Sequence, residues 1–155
     1  MWDASRMRTA TIAAMVILLT SCSTPEERRN EALMGQIEEQ VQLPKGALPL
    51  NDYARFYADA GRGEVVAVYM LPSVIEKMEV EQCEQLTGID TSKNVPCVSS
   101  EIGKVKAGER LWVGGHENLP FDVAPGCEVI TLGFDSGRRH FVEVGCVGHR
   151  PREEY

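Results

Sequence analysis

Few side chains in this sequence have the type and spacing to do chemistry. His116 and Glu117 adjoin in a glycine-flanked stretch, with Asp122 close by. A histidine beside carboxylates can shuttle protons or hold a metal ion. No His-Glu-x-x-His spacing, glycine-flanked serine nucleophile or phosphate loop accompanies them. The sequence therefore favours a surface-loop histidine, and His116 with Glu117 is kept as a candidate binding surface. Arg138 and Arg139 form the second candidate, a basic tip on an acidic chain, with Arg150 and Arg152 nearby in sequence. Such a patch can meet an acidic partner. The plainer reading is a solvated turn whose charges discourage edge-to-edge strand pairing. His140 sits beside these arginines at a hairpin tip and is not assigned a catalytic role.

The five cysteines are Cys22, Cys83, Cys97, Cys127 and Cys146. None forms the Cys-x-x-Cys pair that thiol–disulfide exchange or a zinc site favours. With Cys22 set apart, four remain, and an even count in an exported domain reads as two disulfides with three connectivities. Nearest-neighbour pairing, Cys83–Cys97 and Cys127–Cys146, is the favoured one. Closing each of these loops contributes about 3 kcal/mol in the chain-entropy picture. A hairpin turning at Asp135–Arg138 pairs residues whose numbers sum to 273, which sets Cys127 directly opposite Cys146. A non-hydrogen-bonded pair of that kind has Cα atoms about 4.5 Å apart, within disulfide range.

Export itself is read from the amino terminus. Arg6 and Arg8 precede an apolar run, Ala10 to Leu19, that ends in Leu19-Thr20-Ser21-Cys22. The layout is that of a secretory signal, too short to span a bilayer, which takes about 20 apolar residues. Leu19-Thr20-Ser21-Cys22 resembles the lipobox of bacterial lipoprotein precursors. The resemblance implies cleavage before Cys22, acylation of that cysteine by fatty acids such as palmitate, and anchoring of everything after it. Ser23 stands where such proteins often carry an aspartate for inner-membrane retention, which points to the outer membrane. Met7 offers a more ordinary signal start than Met1. Leu119-Pro120, Gly126-Cys127-Glu128-Val129 and Cys146-Val147-Gly148 resemble small exported proteins of Gram-negative bacteria, a likeness that implies location and fold but no chemistry.

Removing residues 1–21 from the 155-residue chain leaves 134 residues, enough for one domain with its own core. Loss of Arg6, Arg8 and Asp3 leaves 14 basic and 22 acidic residues, a formal charge of −8. That balance argues against nucleic acid, whose binding rests on neutralising phosphates, and against anionic lipid head groups.

The elements follow in order. Thr24-Pro25-Glu26-Glu27 has a capping threonine, a proline at the first helical position and a glutamate three beyond the cap, and predicts a helix to about Val41. Leu33, Ile37 and Val41 give it one narrow apolar stripe, suiting a stalk or light packing. Tyr53–Ala58 and Glu64–Leu71 read as a hairpin, with Val65, Val66, Val68 and Tyr69 marking its second strand. Tyr53, Phe56, Tyr57 and Tyr69 gather there as core rather than as a binding platform. Ser73–Leu86 reads as a second helix, Leu111–Val113 as a short strand, and Cys127–Phe134 with Arg139–Val147 as a closing hairpin.

The sequence thus predicts an α+β fold: an N-terminal helix, then a small antiparallel sheet of four to five strands with a second helix, stapled by disulfides. Its division is a signal over residues 1–21, an acylated terminus and acidic helix over 22–47, and a disulfide-closed domain over 48–155. The expected role is a non-enzymatic accessory or interaction protein, lipid-anchored at the periplasmic face of the outer membrane. Its expected partners are the membrane and an envelope protein, with no cofactor, metal or nucleic acid. The alternative is a binder of a small molecule or polymer, or an inhibitor of an envelope-directed hydrolase, using the 114–126 loop or the aromatic hairpin.

Overall fold

A computed structural model describes residues 23–87 and 100–148. The acylation candidate Cys22, the lipobox before it, Cys97, Arg150 and Arg152 lie outside the described residues.

Helix α1 spans Pro25–Gln40 and starts on a closed capping box. The Thr24 hydroxyl accepts from the Glu27 N–H at 3.1 Å, and the Glu27 carboxylate accepts from the Thr24 N–H at 2.7 Å. Two of the amide groups left open at a helix start are thereby satisfied locally. A hairpin follows, β1 (Ala54–Gly61) and β2 (Glu64–Met70), then helix α2 (Pro72–Thr87). Strand β3 (Arg110–Gly115) leads through a short 3₁₀ turn, His116–Asn118, to a loop. The second hairpin, β4 (Val129–Asp135) and β5 (His140–Cys146), closes the described chain.

The five strands form one sheet in the order β3-β1-β2-β4-β5. Successive side chains of a strand face opposite sides, and both sides are apolar here. On one side Tyr53, Tyr57, Val65, Tyr69, Ile130 and Phe134 pack under Met34 and Ile37 of α1. On the other, Phe56, Val68, Met70 and Val129 pack against Val74 and Ile75 of α2. The chain is α+β with a helix on each face of the sheet. Helix α1 is a layer of the core and not a stalk: Ile37 is fully buried, a contribution of about 1.5–3 kcal/mol. The sequence stripe underestimated it, because Met34 also packs down beside Leu33 and Ile37.

Three expectations need correction. The sheet is mixed: β3 runs parallel to β1, pairing Phe56 with Leu111 and Tyr57 with Trp112. The chain leaves β2 at the end where β1 begins, passes through α2, and returns beside Tyr53. There the Gly108 N–H donates to the Tyr53 carbonyl at 3.0 Å and starts β3 in the same direction as β1. The first hairpin turns more tightly than expected, since β1 continues to Gly61 and only Arg62 and Gly63 connect it to β2. Both connecting residues have positive φ, 54° and 80°, as a two-residue primed turn demands.

The second hairpin is shifted. Its turn is Ser136–Arg139, and an extra residue at Val142 makes Phe134 pair with Phe141 but Gly133 with Glu143. Cys146 therefore lies opposite Ile130, not Cys127. The Cys127–Cys146 disulfide is formed nonetheless, with Cα atoms 4.7 Å apart. Cys127 precedes β4, and the approach of this segment to β5 is a tertiary arrangement, not a cross-strand pair. The Tyr53 hydroxyl helps to fix it, donating to the Cys127 carbonyl at 2.7 Å while accepting from the Leu48 N–H at 3.0 Å. Cys83 near the end of α2 is also disulfide-bonded; its expected partner, Cys97, lies outside the described residues.

Candidate functional site

The aromatic hairpin is interior: Tyr53, Phe56, Tyr57 and Tyr69 are all fully buried. Two of these rings carry a polar network that reaches α1. Tyr57 and Tyr69 meet edge to face, with centroids 5.8 Å apart and their hydroxyls hydrogen-bonded at 3.0 Å. The Tyr57 hydroxyl lies 2.9 Å from the Glu38 carboxylate. Burial, the neighbouring Tyr69 and the negative charge of Glu38 all push the Tyr57 phenol far above its ordinary value. Tyr69 is pushed up to about 12, chiefly by burial.

Glu38 is the hub. One of its oxygens lies 3.4 Å from the Arg55 guanidinium, and the other accepts from Arg110 at 2.8 Å. Arg110 also engages Glu31, one helical stretch back on α1. Arg55 is 5% exposed, the single charged residue in the buried set of the described chain. It donates to the Gly108 carbonyl, while its Nε is buried with no hydrogen-bond partner. Two strands and a helix are thus tied together by opposite charges, with Arg55 buried, Glu38 and Arg110 part-buried and Glu31 exposed. Every group but the Arg55 Nε is matched, and the arrangement reads as a structural clasp.

The clasp divides the space under α1. Toward the helix start, a cleft of about 540 Å³ opens between α1 and the turn end of the sheet. Leu33 and Trp112 supply its apolar surface, and Arg29, Asn30, Asp59 and Ser136 its polar one. The turn end is rigid locally: the Ser136 N–H and hydroxyl both donate to the Gly63 carbonyl, at 2.9 and 2.7 Å, and the Asp59 carboxylate accepts from the Gly61 N–H at 2.6 Å.

On the other face of the sheet, the part near the hairpin end carries a shallower groove of about 380 Å³. Val66, Val68, Leu119, Pro120 and Phe121 line it, with His116 at one side. Phe121 is 65% exposed and the neighbouring Val123 62%. Two large apolar side chains held out on one loop carry a cost in water that a covering surface would remove.

His116 and Glu117 come together as the sequence suggests, but only as neighbours on a surface turn. Their Nδ1 and Oε2 atoms are 3.6 Å apart and both side chains are about two-thirds exposed. Asp122 is engaged elsewhere, accepting from the Val123 N–H at 2.7 Å. Among the described residues no group of three or more His, Cys, Asp or Glu side chains is placed to hold a metal ion. Arg138 and Arg139 sit at the tip of the β4–β5 turn, where the Asp135 carboxylate accepts from the Arg138 N–H at 2.8 Å. That backbone contact is the main cause that lowers the Asp135 pKa from its ordinary value.

Sequence reasoning missed the clasp and the cleft. A signal for the first was present: Arg55 stands alone between Ala54, Phe56 and Tyr57 in an otherwise apolar strand, and Glu31 and Glu38 are two turns apart on one helix face. The cleft had none, because its walls come from five separate segments of chain. No protein family, curated protein or solved structure matches this chain. No described helix is long and apolar enough to cross a membrane.

Proposed function

We propose that this chain is a lipid-anchored envelope protein, acylated at Cys22, whose folded domain acts as a non-enzymatic interaction module at the periplasmic face of the outer membrane. The observation that carries the interaction reading is the half-covered sheet face, where Phe121 and Val123 stand exposed beside the groove over Val66 and Val68. An apolar surface of this kind suits an envelope protein partner that buries it. The anchor rests on the lipobox resemblance, and its position fits. Cys22 precedes Pro25 by only three residues, so acylation there would hold the start of α1, and the turn end of the sheet beside it, near the bilayer.

The test is crosslinking in intact cells, followed by purification from the membrane fraction and identification of what is attached. A specific protein partner, lost in a Phe121→Ser/Val123→Ser variant that still folds, is the expected result. Capture unchanged by that variant would refute the assigned face. For the anchor, Cys22→Ala should abolish acylation and membrane retention. A Cys22→Ala protein that is processed and retained as before would refute it.

A second reading is kept because of one feature, the cleft between α1 and the sheet. It has the size of small-ligand sites, about 300–1,000 Å³, and their mixture of apolar floor and polar rim. It suits a binder of a small molecule or polymer.

A further inference from the structure

The structure assigns a ligand class to this cleft: we infer that it binds a neutral saccharide. The inference rests on the binding reading just given and is independent of the membrane anchor.

The argument starts from which groups around the cleft are already used. Ser136 is committed to the Gly63 carbonyl, and one oxygen of Asp59 to the Gly61 N–H. The Arg29 guanidinium, the Asn30 amide and the Trp112 indole N–H have no hydrogen-bond or ion-pair partner among the described residues. The second Asp59 oxygen is likewise unengaged. Arg29, Asn30, Asp59 and Trp112 all line one space, so side chains that donate, one that accepts and an amide that does both border it together. A polyhydroxylated ligand matches such a rim, since each hydroxyl donates and accepts at once. A purely donating or purely accepting ligand would leave half of the rim unanswered.

The floor supports the same class. Trp112, half-buried on β3, and Leu33 of α1 both line the cleft and supply apolar surface beside the polar groups. Sugar rings present an apolar face of C–H groups and a hydroxylated edge, which is the division of surfaces this cleft has. Charge then separates neutral from anionic ligands. Glu26, Asp59 and Glu64 outnumber Arg29 around the cleft, so a phosphorylated or uronic saccharide would meet net repulsion. Both the polar rim and the aromatic floor are held by regular structure, Arg29 and Asn30 by α1 and Trp112 by β3, so little ordering entropy opposes binding.

The protein contains two tryptophans, Trp2 and Trp112. A Trp2→Phe background makes Trp112 the sole emitter whether or not residues 1–21 are removed. The experiment is a titration of tryptophan emission in the purified full chain with chitotriose, with maltotriose, and with a hyaluronan-derived oligosaccharide as the anionic comparison. A saturable change with a neutral sugar is expected, weakened about tenfold or more in Arg29→Ala/Asn30→Ala, which removes two α1 side chains that line the cleft and lie outside the core clusters. Val80→Ser, an exposed position of α2 on the opposite face, should bind as the parent does. No saturable change with either neutral sugar at millimolar concentration overturns the inference, as does binding unchanged in the Arg29→Ala/Asn30→Ala variant. A response to the anionic sugar alone overturns the neutral-saccharide assignment while leaving the cleft as a binding site.

Discussion

Replacing Glu38 by leucine removes the shared acceptor of Tyr57, Arg55 and Arg110 in one step. The size of the loss follows from exposure. The Arg55 and Glu38 side chains are 7% and 16% exposed, so the Arg55 charge cannot turn to water when its partner goes. Removing one member of such a buried pair costs about 3–5 kcal/mol, and the edge position of Glu38 argues for the lower end. The Glu38→Gln change keeps an acceptor for one neighbour and loses only the charge, about 1–2 kcal/mol. Glu31→Leu is the comparison: Glu31 meets the same Arg110 but is 58% exposed, and should cost under about 1 kcal/mol. Urea unfolding of the purified variants measures all three through the midpoint at unchanged slope. The Glu38→Leu/Arg55→Met double variant should recover most of the loss, because an apolar pair needs no partner. If Glu38→Leu costs no more than Glu31→Leu, the clasp is a surface ornament and the reasoning fails.

Two further outcomes follow from the same structure. Replacing both Cys127 and Cys146 by alanine should lower stability by about 3 kcal/mol, from release of a 19-residue separation in the unfolded chain; a loss below about 1 kcal/mol in urea unfolding would show that Tyr53 and the sheet hold this corner alone. The Tyr57 and Tyr69 phenols have raised native values, Tyr69 to about 12, so the stability they confer is complete below the unfolded phenol value near 10 and is lost as pH rises above it. Absorbance of phenolate against pH should show these two ionising only with loss of the fold, and native protein with both ionised at pH 11 would contradict the buried network.

What the sequence determines by itself here is local. Thr24, Pro25 and Glu27 start α1 because a capping box needs only residues within one helical turn. The run Glu64–Met70 is a strand because its β-branched and aromatic side chains fit a pleated surface. The cysteine pairing 127–146 was legible from spacing, although the register argument behind it was not, since a bulge at Val142 costs the chain nothing that composition records. The α+β class follows from these local signals together.

Tertiary structure decided the rest. The parallel placement of β3 depends on where the chain emerges after α2, a long-range matter that residues 110–115 do not encode. Whether α1 stands off or packs down is settled by what the sheet offers to Met34 and Ile37, and a stripe of apolar residues reads alike in both cases. Arg55 and Glu38 lie 17 positions apart, and only the packing of α1 over β1 brings their charges together at a largely buried site. The cleft is the extreme case. Arg29, Asp59, Trp112 and Ser136 are ordinary surface residues one by one, and their convergence exists only in three dimensions, because a cavity is a property of the walls together and of no single segment of chain.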